Sequence, residues 1–181
     1  MAILPLAIFF LLFPTFICAQ SVTGKVIGIL DPQTLHIRDA TRGDHWIRLG
    51  GIIGPPSRHP LREKAKKNLE SLVFGRTVTV EWDRQEGNCI GRVEAFRCRK
   101  VGKVFLDVTT DVGLELIARG MAKHDRAHRE FQSTPDRTQY AETEERARLR
   151  RLGVWGVKST PTRQPSVISK KKKRAGQKKR K

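Results

Sequence analysis

The sequence predicts one α+β domain built on a five-stranded β-barrel, with a segment of different composition at each end. The 181 residues have room for one domain of ordinary size plus appendages. Strand-like alternation fills the first half of the interior, and helical periodicity fills the second half. A hydrophobic content of 38% fits neither a multi-span membrane protein nor a wholly disordered chain. The net charge of +18 points to a polyanionic partner.

The first three predicted strands form a meander. Residues 22–30 and 34–38 have strand composition and are separated by an Asp-Pro-Gln turn. Residues 45–49 form a third strand after the polar turn Thr41-Arg42-Gly43-Asp44. A helix then follows, because apolar residues recur at spacings of four, four, three and one before Gly75, at Leu61, Ala65, Leu69, Leu72 and Val73.

Two more strands complete the predicted barrel. Val78, Val80 and Trp82 alternate with polar residues, and a turn then leads to a fifth strand over residues 91–97. Five strands with a helix after the third is the order of an OB-fold, a Greek-key barrel that often binds single-stranded nucleic acid or oligosaccharides. Two further helices are predicted, one ending near Gly120 and one beginning at Asp136, which gives a domain over residues 20–157.

Residues 1–19 are almost wholly apolar and predict a secretory signal peptide cleaved after Ala19. An uncleaved N-terminal anchor is the alternative, although two prolines and the short length disfavour a membrane span. We therefore expect a secreted or periplasmic monomer with no transmembrane span after signal removal. Export would leave Cys89 and Cys98 as an even pair able to form a disulfide, with two unpaired core thiols as the alternative.

Residues 158–181 predict a disordered basic tail. They contain 11 basic residues, no acidic residue and no aromatic residue, so they cannot bury enough apolar surface to fold. Contact with nucleic-acid phosphates is the favoured role, because each lysine or arginine that neutralises a phosphate releases a counterion. The densest run is Lys170, Lys171, Lys172, Lys173 and Arg174. A solubilising tail and a nuclear-localisation sequence are the alternatives.

Six short motifs occur in a fixed order between residues 22 and 156. They are LDPQT at 30–34, IRLGGIIGPP at 47–56, LESLVFGRTVTV at 69–80, Asp83 through Gly91-Arg92, LIARGMA at 116–122, and LGVW at 152–155. In this order they resemble the staphylococcal nuclease, or thermonuclease, family. The resemblance implies an OB-fold barrel with three helices that cuts DNA and RNA using calcium.

The residues that the resemblance assigns to catalysis have changed. Family members hold calcium with two aspartates and use a glutamate as general base, and these positions are Gln33, Ile53 and Pro56 here. Gln33 offers one neutral oxygen, and the other two side chains offer none, whereas calcium prefers several charged oxygen ligands. We therefore expect no calcium or other cofactor and no metal site, with hydrolysis lost or weak.

The resemblance also implies two arginines on the phosphodiester, Arg48 and Arg92. A guanidinium can bind two phosphate oxygens at once without a metal. Arg84, Lys123 and Arg126 are further predicted nucleic-acid contacts. The nucleotide-contacting tyrosines of the family are absent near residues 126 and 128, so binding of DNA or RNA should be sequence-tolerant and salt-dependent.

Two other functions stay open. An active extracellular endonuclease could use a rearranged site, with a carboxylate pair rebuilt from Asp31, Asp44, Asp83 or Glu86. An adhesive module could instead use the positive charge to bind anionic cell-surface polymers, with the barrel as a scaffold.

Overall fold

A computed structural model describes residues 20–87, 89 and 98–156. The predicted signal peptide, the basic tail and the predicted strand over residues 91–97 lie outside these residues, as does Arg92. The described residues form a closed five-stranded barrel and three α-helices, so the predicted fold class is confirmed. No helix among the described residues is long and apolar enough to span a membrane.

The strands among the described residues are β1 Gln20–Asp31, β2 Thr34–Asp39, β3 Asp44–Leu49, β4 Ile52–Ile53, β5 Thr77–Gly87, β6 Cys98–Phe105 and β7 Lys123–His124. Five of them close the barrel in the order β1-β2-β3-β6-β5. Neighbouring strands in the barrel are antiparallel except β3 and β6, which pair in parallel. The two short strands outside the barrel, β4 and β7, pair with each other.

The three helices are α1 Arg62–Val73, α2 Val112–Ala118 and α3 Thr134–Leu149. Helix α1 follows β4 and buries Ala65, Leu69 and Val73 completely, as the apolar spacing predicts. Helix α3 begins two residues before the predicted start at Asp136. The reason is that Ser133 is the N-cap, where its hydroxyl accepts a hydrogen bond from the backbone N–H of Asp136 at 3.2 Å.

The strand that completes the barrel is β6, in a segment where the sequence pattern indicates no strand. Its charged residues hide the apolar alternation, yet Val101 and Val104 are buried. Lys100 extends over the ring of Trp82, with its Nζ 4.8 Å from the ring centroid. The long side chain thus covers apolar surface while it keeps its charge near solvent.

A buried polar cluster joins the barrel to helices α2 and α3. Asp111 caps α2 by accepting hydrogen bonds from the backbone N–H groups of Gly113 and Leu114, and it also accepts one from the Tyr140 hydroxyl at 2.7 Å. The Lys103 ammonium lies 3.5 Å from Asp111 and donates to Asp136 at 2.8 Å. Lys103 on β6 therefore contacts one carboxylate at the N-terminal end of each helix, Asp111 at α2 and Asp136 at α3.

The pKa shifts in this cluster reflect burial and close charges. Burial lowers the pKa of Lys103, but the hydrogen bond to Asp136 and the charges of Asp111 and Asp136 outweigh it, so the pKa is raised. Burial raises the pKa of Asp136, but bonds from Lys103 and Ser133 outweigh it, so that pKa is lowered. Burial and the adjacent Asp111 charge raise the pKa of Tyr140.

We expect the protein to lose stability in acid between about pH 4 and about pH 2. Backbone hydrogen bonds from Thr109 and Thr110 lower the pKa of Asp107 to about 2, and the pKa of Asp136 is also lowered. A carboxyl group with a lowered folded-state pKa stabilises the fold above its unfolded pKa of about 3.9 and loses that contribution as the pH falls through the folded value.

Urea unfolding at pH 7, 4, 3 and 2 measures this effect. Asp107→Asn should make the decline with acid shallower than in the wild type. A wild-type free energy of unfolding that stays constant down to pH 2 would contradict the expectation.

Candidate nucleic-acid interface

The first two motifs meet at a shallow cleft of about 170 Å³. Within the turn between β1 and β2, the Asp31 carboxylate accepts hydrogen bonds from the Gln33 backbone N–H at 2.9 Å and from the Thr34 hydroxyl at 3.0 Å. The side-chain oxygen of Gln33 accepts a hydrogen bond from the backbone N–H of Gly54 at 2.8 Å. Gln33 therefore ties this turn to the segment that follows β4.

The residues at this cleft do not fit a calcium ion. Calcium takes six to eight oxygen ligands, and carboxylates are its usual strong ligands. The Gln33 amide oxygen already has a donor, and the exposed side chains of Ile53 and Pro56 carry no oxygen. Asp31 is the single carboxylate among the described residues that line the cleft, and both of its oxygens accept hydrogen bonds within the turn.

Of the four carboxylates suggested for a rebuilt metal site, Asp31 accepts hydrogen bonds within its own turn, and the other three lie beside basic side chains. Asp44 pairs with Arg38 at 2.8 Å and lies 3.5 Å from His36. Asp83 and Glu86 both lie beside Arg84. In the part of the chain that the structure describes, no three His, Cys, Asp or Glu side chains converge on a position for a metal ion.

Arg48 and Arg84 come together around one glutamate. Arg48 is in β3, opposite Thr34 on β2, and its guanidinium donates to the Glu86 carboxylate at 2.6 Å. The other Glu86 oxygen lies 3.5 Å from the Arg84 Nε. The Arg84 guanidinium also stacks over Phe131, 4.0 Å from the ring centroid, and lies 3.4 Å from Asp83. We call Arg48, Glu86 and Arg84 the arginine pair cluster.

A groove of about 150 Å³ adjoins Arg84. Its walls include Trp82, Lys103, His128 and Phe131, and Phe131 is about half exposed. The His128 ring is positioned by Asp125, whose buried carboxylate lies 2.9 Å from Nδ1. Phe131 gives the groove an aromatic surface that the sequence interpretation missed, since a lone phenylalanine in a polar loop follows no periodic pattern.

The other predicted contact residues have partners of their own. The Arg126 guanidinium pairs with Glu144 of α3 at 2.9 Å, although its side chain is largely exposed. The Lys123 ammonium lies over the Trp155 ring, 4.8 Å from the centroid. The remaining predicted contacts lie outside the described residues: Arg92, Lys170, Lys171, Lys172, Lys173 and Arg174.

A disulfide joins Cys89 to Cys98, with their Cα atoms 4.8 Å apart. Cys98 lies opposite Gly87 in the pairing of β5 with β6, and Glu86 lies opposite Arg99. The cross-link therefore fixes the end of the ladder that carries Glu86.

The comparisons with known proteins agree with this architecture. The staphylococcal nuclease homologue family matches residues 46–157. The chain belongs to the staphylococcal nuclease family. This membership confirms the family resemblance seen in the six motifs, and the match begins after the first of them, so it does not include Gln33.

Three relatives are named as nucleases. The chain is 28% identical over 171 residues to a probable endonuclease, LCL3, of Pyricularia oryzae, covering 80% of this chain and 65% of that protein. It is 31% identical over 94 residues to an uncharacterized endonuclease of Escherichia coli O157:H7, covering 51% and 60%. It is 32% identical over 135 residues to a micrococcal nuclease of Shigella flexneri, covering 73% and 72%. The chain thus spans less than two thirds of the length of the first two relatives.

Proposed function

We propose that this protein binds the phosphate backbone of DNA or RNA through its barrel and has lost most or all of the metal-dependent hydrolysis of its family. The observation that carries this proposal is the cleft, where the Gln33 side chain accepts a hydrogen bond from Gly54 and Pro56 has no side-chain oxygen, as is also true of the exposed Ile53 next to Gly54. Arg48 lies on β3 opposite Thr34, whose hydroxyl donates to Asp31 of the cleft. The site therefore keeps an arginine that can bind phosphate, and it lacks the side chains that would activate water.

The phosphate-binding half of the proposal rests on charge and shape. The guanidiniums of Arg48 and Arg84 are planar and present several N–H donors, and both lie beside the Glu86 carboxylate. Phe131, about half exposed and in contact with Arg84, adds aromatic surface against which an unpaired base can pack. Since the whole chain carries +18, counterion release favours association with any polyphosphate chain.

The loss of hydrolysis follows from what the cleft lacks. A general base contributes about 10²- to 10⁴-fold to a rate, and Pro56 has no group that accepts a proton. A catalytic metal supplies several kcal/mol of charge stabilisation in the transition state. Arginines can stabilise charge on the phosphate, but they cannot generate a nucleophile.

We also propose that the protein is exported and that its tail assists binding. The apolar residues 1–19 and the Cys89–Cys98 disulfide support export, because disulfides persist in oxidising compartments. The basic residues 158–181 support a tail that contacts phosphates along the same strand.

Fluorescence anisotropy with a labelled 20-nucleotide single strand of DNA or RNA tests the binding proposal. We expect Arg48→Ala to weaken binding about tenfold, with and without chelator, because one charge-assisted phosphate contact is lost. Arg119→Ala is the matched control, since Arg119 is also paired with a glutamate but lies at the C-cap of α2, where its loss should change binding less than twofold.

Equal effects of the two substitutions would reject the barrel as the binding surface. Complete loss of binding when the five basic residues at 170–174 become glutamine, together with equal competition by heparin, would instead support an adhesive module. Binding that chelator abolishes would show that a metal takes part.

A further inference from the structure

Two arginines that are suited to phosphate already hold an internal anion. Glu86 accepts a hydrogen bond from Arg48 at 2.6 Å, and its second oxygen lies 3.5 Å from Arg84. The three side chains are 27%, 31% and 20% exposed for Arg48, Glu86 and Arg84, so solvent and ligands reach all of them. A carboxylate and a phosphodiester each carry one negative charge and present two oxygens to a guanidinium.

We propose that Glu86 is a built-in competitor of nucleic acid: it occupies the position between Arg48 and Arg84 that a backbone phosphate takes, and a phosphate binds by displacing it. This inference rests on the proposed function, and it adds the residue that limits the affinity of the barrel. Arg48 and Arg84 together carry a charge of +2, and Glu86 reduces the net charge of the arginine pair cluster to +1. Glu86 therefore lowers the affinity of the two arginines for a phosphate group, while both arginines stay available for binding.

Arg84 keeps its side-chain contacts when the carboxylate leaves, and Arg48 keeps its backbone position. Arg84 stacks on Phe131 at 4.0 Å and has Asp83 as a second partner at 3.4 Å. Arg48 lies near the end of β3, a strand that pairs with β2 on one side and β6 on the other. Displacement of Glu86 thus leaves the backbone of the site unchanged and frees the Arg48 guanidinium for a phosphate.

The backbone of Glu86 is also fixed, which confines the competition to its side chain. Glu86 pairs with Arg99, and the next pair along the ladder, Gly87 and Cys98, adjoins the disulfide. The carboxylate therefore returns to the arginines whenever the phosphate leaves. A tethered anion of this kind acts at a high effective concentration.

The test measures binding of a fluorescein-labelled 20-nucleotide single-stranded DNA by the full chain in 0.1 M NaCl. We expect Glu86→Gln, which keeps the size of the side chain and removes its charge, to tighten binding about tenfold. Glu115→Gln is the matched control, because it removes one negative charge from another arginine-paired glutamate, on α2, and should change binding less than threefold. In the Arg48→Ala background the gain from Glu86→Gln should shrink to less than threefold, since the two residues act on one contact.

The outcomes separate this inference from the function on which it rests. If Arg48→Ala weakens binding and Glu86→Gln leaves it unchanged or weaker, the competitor role is wrong and phosphate binding by the barrel stands. If neither substitution changes binding, the barrel is not the interface and both proposals fail. Glu86→Asp, which shortens the side chain, should give an intermediate gain and provides the decisive variant if the glutamine variant does not fold.

Discussion

Replacing Asp111 with alanine is expected to lower the free energy of unfolding by about 3–5 kcal/mol. The substitution removes the N-cap of α2, which alone contributes about 1 kcal/mol. It also leaves the buried Tyr140 hydroxyl without its acceptor and removes one of the two carboxylates beside Lys103. Urea unfolding at pH 7 measures the change.

Asp107→Ala is the matched control for this prediction. Asp107 also accepts backbone hydrogen bonds, from Thr109 and Thr110, in the same loop, but its side chain is exposed. We expect Asp107→Ala to cost much less than Asp111→Ala at pH 7, because water replaces the lost contacts at an exposed side chain. Equal losses for the two variants would show that the buried cluster does not hold the helices to the barrel.

Restoring carboxylates in the cleft should produce the largest functional change. The triple variant Gln33→Asp, Ile53→Asp, Pro56→Glu introduces two anionic side chains and a proton acceptor at the positions that the motif resemblance assigns to metal binding and catalysis. We expect calcium-dependent cleavage of single-stranded DNA at least about 100-fold above the wild-type level, the lower end of what a general base contributes. Cleavage is followed as release of a fluorescent fragment.

The matched control carries the corresponding amides, Gln33→Asn, Ile53→Asn and Pro56→Gln. It has the same side-chain sizes without the charges, so it should neither cleave nor respond to calcium. A second readout is stability: millimolar calcium should raise the melting temperature of the carboxylate variant and leave the amide variant unchanged. Cleavage by the amide variant would show that charge in this cleft is not the missing element.

The sequence predicts most of the barrel because its inward-facing residues alternate. Strand β5 is longer than expected, since its last residues, from Asp83 to Gly87, are charged, polar or glycine and show no apolar alternation. The sequence pattern does not indicate β6, because Lys100 and Lys103 lie where alternation predicts solvent-exposed residues, although both are part-buried. Their neighbours, Trp82 for Lys100 and Asp136 for Lys103, come from distant parts of the chain.

The candidate site is predictable where motifs define it and unpredictable where tertiary contacts define it. Arg48 and the substitutions at Gln33, Ile53 and Pro56 follow from motif order alone. The pairing of Arg48 with Glu86 spans 38 positions and depends on how β3 and β5 meet through β6. No local pattern shows that Glu86 lies between two arginines rather than beside a metal.

The most direct test of the central claim is a cleavage assay on supercoiled plasmid and single-stranded DNA with the wild-type protein, in calcium, magnesium, manganese or chelator. We predict no metal-dependent cleavage by the wild type, nucleic-acid binding that chelator does not change, and cleavage by the carboxylate variant. Robust wild-type cleavage that chelator stops and Arg48→Ala removes would contradict it, because other groups would then supply the ligands that Gln33, Ile53 and Pro56 lack.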